Sequence, residues 1–130
     1  MSSYKYPLVL LIDDNYIDNM INQKILQGNN FAQEVVISQS AEEAITYLKI
    51  VLKALKPVPE VIFVDIRMPG KNGFQFLDEF ETIKKNYNFE AKIIVLSASL
   101  DPTDYKKVAE NKNVVCFANK PLSPNVLNNL

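Results

Sequence analysis

The chain has 130 residues, 48% hydrophobic and 22% charged, with a net charge of -1 at neutral pH. This length and composition predict one globular domain, and the charge balance disfavours binding to nucleic acid. No apolar run is long enough to span a bilayer. One cysteine and no histidine exclude an intrachain disulfide and histidine metal sites. We therefore expect a soluble, cytoplasmic protein without a membrane partner.

The first predicted strand covers residues 8–12, a continuous apolar run typical of a strand buried on both faces. Residues 17–26 follow as a predicted helix, with Gly28 as its C-cap. One apolar face of this helix is formed by Ile17, Ile21, Ile25 and Leu26.

The second strand is predicted over residues 35–37. Ser40 with Glu43 three positions later has the spacing of a capping box, which predicts the start of the second helix. Apolar residues continue at helical spacing to Leu55, and Pro57 ends the pattern.

The third and fourth strands are predicted over residues 61–64 and 93–96, and a helix over residues 74–84 lies between them. The stretch of residues 82–92 is long for a connection. It is either an ordered elaboration or an extension of the third helix.

A fourth helix is predicted to begin at Asp101 and Pro102, because aspartate caps helices and proline suits the first turn. The fifth strand covers residues 114–117 and contains Cys116, for which we expect a buried, unreactive thiol. Ser123 with Pro124 opens a short fifth helix. Strands that alternate with helices predict an α/β domain with a parallel sheet.

Polar side chains follow the predicted strands at one edge of this sheet. Asp13 and Asp14 follow the first strand, Asp65 the third, Ser97 the fourth and Lys120 the fifth. In open parallel sheets, ligands bind beyond the carboxyl ends of the strands. Each residue alone has a simpler explanation: Asp13 and Asp14 as a helix cap, Asp65 as a turn residue, Ser97 as a loop residue and Lys120 as a surface charge. Their joint occurrence predicts a site.

The chemistry of such a site follows from its residue types. Carboxylates that converge on one spot repel each other unless a cation lies among them, and oxygen ligands favour Mg²⁺ or Mn²⁺. A carboxylate beside such an ion can attack phosphorus. A lysine and a serine at the same spot can bind the phosphoryl oxygens.

These residues resemble the response-regulator receiver domains of two-component signalling, over nearly the whole chain. The resemblance rests on Asp13 and Asp14 after the first strand, on residues 64–73 (VDIRMPGKNG), on Ser97 with Ala98, and on the Lys120-Pro121 turn. The family commonly makes this turn with a cis peptide. The resemblance implies a flavodoxin-like (βα)5 three-layer fold whose parallel sheet has the strand order 2-1-3-4-5, and residues 1–130 as one receiver domain without an output domain.

The resemblance also implies roles for individual residues. Asp65 would be the phosphoacceptor. Asp14 and Asp65 would bind Mg²⁺ directly together with the backbone carbonyl of Arg67, whereas Asp13 would act through water. Lys120 would hold the phosphoryl group.

The same resemblance implies a switch. Ser97 would move towards the phosphoryl group, and Phe117 would rotate into the space vacated, although a plain core aromatic explains Phe117 equally well. The side chains of Arg67 and Ser99 would flank the phosphoryl group and tune its lifetime.

The partners implied are a sensor histidine kinase or phosphotransfer protein and a downstream protein target, with the chain as a monomer or weak dimer. An alternative is a pseudo-receiver, a protein-interaction module that is not phosphorylated. A phosphatase of the haloacid-dehalogenase type would need a second aspartate where Arg67 stands, so we expect no enzyme. A flavodoxin would need a phosphate-binding loop where Asp13 and Asp14 stand.

Overall fold

The computed structural model describes residues 3–98 and 101–130 of the chain. Strands and helices alternate over these ranges in the predicted order. The elements are β1 (Tyr6–Ile12), α1 (Tyr16–Gly28), β2 (Ala32–Ser38), α2 (Ala41–Lys53), β3 (Val61–Asp65), α3 (Gly73–Tyr87), β4 (Lys92–Ser97), α4 (Pro102–Glu110), β5 (Val114–Asn119) and α5 (Pro124–Asn128).

The strands form one sheet in the order β2-β1-β3-β4-β5, and all four pairings are parallel. The predicted flavodoxin-like fold is therefore confirmed. Because the strands are parallel, their carboxyl ends lie along one edge of the sheet, which we call the carboxyl end. The opposite edge is called the amino end.

Two apolar cores cover the two faces of the sheet. Leu10, Ile62 and Val95 point to the face that packs against α2 and α3, where Phe76 and Phe80 are fully buried. Alternate residues of the same strands point to the other face, whose core is completed by residues from α1 and α5. Since both faces are covered, the strands need the continuous apolar runs seen in the sequence.

The first helix differs from the prediction in its buried face. Ile17 and Ile21 are 61% and 41% exposed, and the buried residues of α1 are Asn19, Asn22 and Leu26. The asparagines can be buried because their side chains bind backbone groups, as described below. The predicted C-cap was also wrong: Gly28 is the last helical residue and Asn29 is the cap.

The second helix begins as predicted, since the Ser40 side chain accepts a hydrogen bond from the Glu43 backbone N–H. The reciprocal bond of a capping box is not made within the pair, because the Glu43 carboxylate binds the backbone N–H of Gln39 instead. The helix ends at Lys53. Leu55 lies beyond it with a φ of 55° and is 92% exposed, so the prediction of a helix through Leu55 was wrong.

The third helix resolves the alternatives left open for residues 82–92, because α3 continues to Tyr87. Asn88 caps it in the left-handed conformation, with a φ of 50°. Phe89 then turns back into the core, 5.8 Å from the ring centroid of Phe80. Most of this long stretch is therefore part of α3. No helix in the two described ranges is long and apolar enough to cross a membrane.

The cysteine is less buried than predicted. Cys116 is half-buried, because β5 is an edge strand with one neighbour and incomplete cover. Burial raises the pKa of its thiol above the ordinary value. The expectation of a buried thiol was therefore wrong, and its lack of reactivity stays a prediction.

Candidate functional site

The strand-end residues meet in a depression of about 260 Å³ at the carboxyl end of the sheet. Asp65 and Ser97 are the last residues of β3 and β4, and both are buried. Lys120 follows β5 directly. The residues that line the depression are Asp13, Asp14, Asn15, Asp18, Asp65, Arg67, Ser97, Ala98 and Lys120.

Three carboxylates form a compact group in this depression. Asp13, Asp14 and Asp65 each offer an oxygen, and these oxygens lie within 4.8 Å of one another. Asp13 and Asp65 are buried, whereas Asp14 is exposed. Carboxylate oxygens at such spacing are the donors that a hard divalent cation takes, so the residues present fit a Mg²⁺ or Mn²⁺ ion.

Backbone groups fix the two buried carboxylates. Asp13 Oδ1 accepts a hydrogen bond from the Asn15 backbone N–H at 3.0 Å. Asp65 Oδ1 accepts one from the Arg67 backbone N–H at 3.1 Å. The remaining oxygen of each carboxylate is turned towards Lys120.

The ammonium of Lys120 is the counter-charge of the buried acids. Its Nζ lies 2.6 Å from Asp13 Oδ2 and 3.1 Å from both Asp65 Oδ2 and Asp18 Oδ2. Burial opposes the positive charge and would lower the pKa of Lys120. The hydrogen bond to Asp13 and the charges of Asp65 and Asp13 outweigh burial and raise that pKa above its ordinary value. Lys120 therefore stays protonated.

The ionised form of Asp65 remains destabilised despite this counter-charge. Burial raises its pKa above the ordinary value, and the charge of Asp13 adds to the effect. The hydrogen bond from Arg67 and the charge of Lys120 act in the opposite direction without overcoming burial. Asp65 is thus a desolvated carboxylate, which a bound cation would stabilise further.

Two glycines shape the loop between Asp65 and α3. Gly70 adopts a φ of 71°, which favours glycine over other residues. At Gly73, a Cβ atom would lie 2.7 Å from both the Asp65 carbonyl oxygen and the Ile66 Cα. Gly73 therefore allows the first turn of α3 to pack directly on the end of β3.

The loop after β5 places Lys120. The Lys120-Pro121 peptide is cis, as the resemblance implied. The Lys120 backbone N–H donates to the Ser97 carbonyl oxygen at 3.0 Å, which joins this loop to the end of β4. One residue beyond the proline, the Leu122 backbone N–H donates to Asn22 Oδ1 at 3.0 Å.

The side chain of Arg67 points from the site to the start of α4. Its guanidinium forms an ion pair with Asp104, which is buried, and lies 3.6 Å from Asp101 Oδ2. Asp101 also caps α4, as predicted.

Phe117 is partly buried, with its ring centroid 5.1 Å from that of Tyr105 at an interplanar angle of 86°. Ser99 lies outside the described residues.

Three polar residues of α1 were missed by the sequence analysis. Asp18 reaches Lys120, Asn19 donates from Nδ2 to the Asp13 carbonyl oxygen at 2.8 Å, and Asn22 holds Leu122. Asp18 and Asn22 are four residues apart and hence on one helical face. A polar i, i+4 pair that follows an acidic strand end could have indicated these site residues. The apolar residues between Asp18 and Asn22 obscured this pattern.

Comparisons with known proteins agree with this geometry. The family described as Response regulator receiver domain matches residues 9–130. The crystal structure of a two-component response regulator from Cytophaga hutchinsonii is 36% identical, covers 96% of this chain and 93% of its own, and superposes with a TM-score of 0.87.

A more distant solved structure shows the same fold, and a more distant relative matches in sequence. The receiver domain of the histidine kinase CKI1 from Arabidopsis thaliana, complexed with Mg²⁺ and BeF₃⁻, is 22% identical with a TM-score of 0.77, over 94% of this chain and 85% of that one. The probable methanogenesis regulatory protein FilR2 of Methanothrix harundinacea is 24% identical over 89% of this chain and 73% of its own length.

The chain spans 41% of the length of the Staphylococcus regulators that it also matches, so those proteins contain regions outside this similarity. Receiver domains are switch domains of two-component systems rather than classical enzymes. The family match over most of the chain and the strand order lead to one conclusion. The chain belongs to the response regulator receiver domain family.

Proposed function

We propose that Asp65 accepts a phosphoryl group from a histidine kinase or phosphotransfer protein, with Mg²⁺ bound beside it. One observation carries this proposal: Asp13, Asp14 and Asp65 converge within 4.8 Å, and the Lys120 ammonium lies 3.1 Å from Asp65 Oδ2. A nucleophilic carboxylate, a cation site and a fixed positive charge are the parts that phosphoryl transfer requires.

The ion would be held by Asp14, Asp65 and the Arg67 backbone carbonyl, with Asp13 acting through water. Mn²⁺ would fit the same oxygens. When bound, the ion neutralises negative charge on the transferring phosphoryl group. Asp14 is the exposed member of the group and offers the side on which a hydrated ion can enter.

In the transfer, an oxygen of Asp65 forms a bond to phosphorus while the bond from phosphorus to the donor's imidazole nitrogen breaks. The electron pair of the broken bond stays on that nitrogen. The Lys120 ammonium pairs with an oxygen of the phosphoryl group, and the Ser97 hydroxyl donates to another. The chain itself thus supplies the nucleophile and two of the groups that hold the product.

The phosphorylated chain then signals through its surface. Ser97 moves towards the phosphoryl group, and Phe117 rotates into the vacated space. The partial burial of Phe117 and its contact with Tyr105 on α4 support such a coupling, because a rotation of the ring would change the surface of α4 and β5. A downstream protein reads this surface.

The wider setting follows from the family. We infer a cytoplasmic protein that acts as a monomer or weak dimer, with residues 1–130 as one receiver domain. Any contact with nucleic acid would be made by other domains or partners, since this domain lacks a basic surface excess. Arg67 and Ser99 would tune the lifetime of the phosphoryl group, Arg67 from its position between the site and α4.

The test uses beryllofluoride, a stable mimic of the phosphoryl group. Beryllofluoride and Mg²⁺ are added to the wild type, to Asp65→Asn and to Asp78→Asn, an exposed aspartate of α3 that serves as the matched control. Amide chemical shifts are followed by NMR, which also shows that each variant is folded.

We expect the wild type and Asp78→Asn to respond around Asp65, Ser97 and Phe117, and Asp65→Asn to remain unchanged. If a folded wild type fails to respond, the acidic group is not a working phosphoacceptor site. The chain is then a pseudo-receiver that binds partners without phosphorylation.

A further inference from the structure

Lys120 pairs with a carboxylate that lies outside the proposed cation site. Its Nζ is 3.1 Å from Asp18 Oδ2, the same distance as from Asp65 Oδ2. Asp18 is not one of the three carboxylates that converge within 4.8 Å. It lies in the first turn of α1, where the helix dipole favours an ionised carboxylate.

The position of Asp18 is fixed by three hydrogen bonds around it. Its own backbone N–H donates to the N-cap side chain, Asn15 Oδ1, at 3.0 Å. One residue later, Asn19 ties α1 to the Asp13 carbonyl oxygen. One turn later, Asn22 binds the backbone of Leu122, two residues after Lys120. The helix, the end of β1 and the loop that carries Lys120 are thereby held together.

We propose that Asp18 is a positioning residue that holds the Lys120 ammonium on the α1 side of the site and competes with the phosphoryl group for it. This inference rests on the proposed phosphoacceptor function of Asp65. Once a cation neutralises Asp13 and Asp65, the pair with Asp18 persists, because Asp18 lies outside the cation site. Lys120 must then weaken that pair to bind a phosphoryl oxygen.

The competition predicts effects of opposite sign on two ligands. Asp18→Asn removes a negative charge near the carboxylate group, so Mg²⁺ alone should bind more weakly. The same change releases Lys120 and removes repulsion towards the phosphoryl mimic, so beryllofluoride at saturating Mg²⁺ should bind more tightly. Damage to the local structure would weaken both, so the opposite signs separate charge competition from a merely structural role.

The experiment compares the wild type with three variants of the full chain. Asp18→Asn removes the charge with nearly the same shape, and Asp18→Glu keeps the charge. Glu42→Gln removes an exposed acidic side chain from the first turn of α2 and is the matched control. Mg²⁺ is titrated first, and beryllofluoride is then titrated at saturating Mg²⁺, with amide shifts as the readout.

We expect Asp18→Asn to weaken Mg²⁺ binding and to tighten beryllofluoride binding, each by roughly threefold to tenfold, as expected for one charge at close range. Asp18→Glu should restore behaviour close to the wild type, and Glu42→Gln should change either constant by less than about twofold.

Two results would overturn the inference alone: a wild type that binds beryllofluoride while Asp18→Asn binds it with equal affinity, or an Asp18→Asn variant that binds both ligands more weakly. A wild type without any response to beryllofluoride would overturn the proposed function and this inference together. The two failures are therefore distinguishable.

Discussion

The two ends of the sheet both carry charged side chains, but they use them differently. At the amino end, Lys92 Nζ lies 2.9 Å from the Tyr6 hydroxyl, and Lys112 Nζ lies 3.1 Å from Glu81 Oε1. The hydrogen bond from Asn113 and the pairing with Lys112 lower the pKa of Glu81. Lys92, Lys112 and Glu81 thus each have a partner and access to water.

At the carboxyl end, the acidic groups outnumber the ammonium that pairs with them. Asp13 and Asp65 are buried, and they share one ammonium, that of Lys120, with Asp18. Burial raises the pKa of Asp65 where that of Glu81 is lowered. The amino end therefore favours the ionised form of its acid. At the carboxyl end, burial disfavours the ionised form of Asp65, so this end contributes less to the stability of the domain than its contacts suggest.

The largest expected effect comes from removing the lysine at the carboxyl end. Lys120→Met leaves two buried carboxylates without their counter-charge, so we expect the free energy of unfolding to fall by about 3 kcal/mol at pH 7. The pKa of Asp65 would rise further above its unfolded value. The deficit should therefore grow as the pH rises from about 4 and shrink on acidification, as urea unfolding at several pH values will show.

The matched variant at the amino end is Lys92→Met. The hydrogen bond to Tyr6 raises the pKa of Lys92, so this group stays charged between pH 4 and about 8. Any loss of stability in Lys92→Met should be small and independent of pH in that range. A deficit of Lys120→Met that did not vary with pH would contradict the distinction between the two ends.

A second pair of variants compares glycines at the two ends. Gly73→Ala places a Cβ 2.7 Å from backbone atoms of Asp65 and Ile66, so we expect a loss of about 2–3 kcal/mol in urea unfolding. Gly28 is the last residue of α1 and lies at the amino end of the sheet, and it has nothing within 4 Å of an added Cβ. Gly28→Ala should leave stability unchanged or raise it by up to about 1 kcal/mol. Equal changes in stability in the two variants would show that the close approach of Gly73 to β3 is not needed for stability.

The smallest expected difference concerns two buried asparagines. Asn22→Ala leaves the buried backbone N–H of Leu122 without its acceptor, which should cost about 2 kcal/mol. Asn113→Ala loses bonds to Lys84 and Glu81, both of which can turn to water, and should cost about 1 kcal/mol or less. Chemical denaturation measures the loss of stability in both variants. A larger loss in Asn113→Ala than in Asn22→Ala would contradict the expectation that the buried asparagine at the carboxyl end matters more.

Sequence patterns predicted the sheet because its strands are buried on both faces. Runs such as residues 61–64 have no other stable position in a small domain, and their alternation with helices fixes parallel pairing. The same reasoning gave the edge on which Asp13, Asp65 and Lys120 meet, since parallel strands place their last residues together.

Sequence patterns were less informative for α1. Counting apolar residues assigned Ile17 and Ile21 to the buried face, whereas the structure buries Asn19 and Asn22. An asparagine side chain can be buried when backbone groups are available as hydrogen-bond partners. The partner of Asn22 is 100 residues away in sequence. Asp18 was missed for the same reason. Local periodicity contains no information about such distant partners.

The distance of 102 residues along the chain between Asp18 and Lys120 also sets an order of events during synthesis. The ribosome releases β1, β2 and β3 first, and these three strands are neighbours in the sheet. A nascent chain that ends after β3 contains Asp13 and Asp65 but not Lys120, whose ammonium pairs with both in the folded domain. The charge balance of the folded domain is therefore complete only when β5 and Lys120 have emerged, and a fragment that ends before Lys120 cannot contain the assembled site.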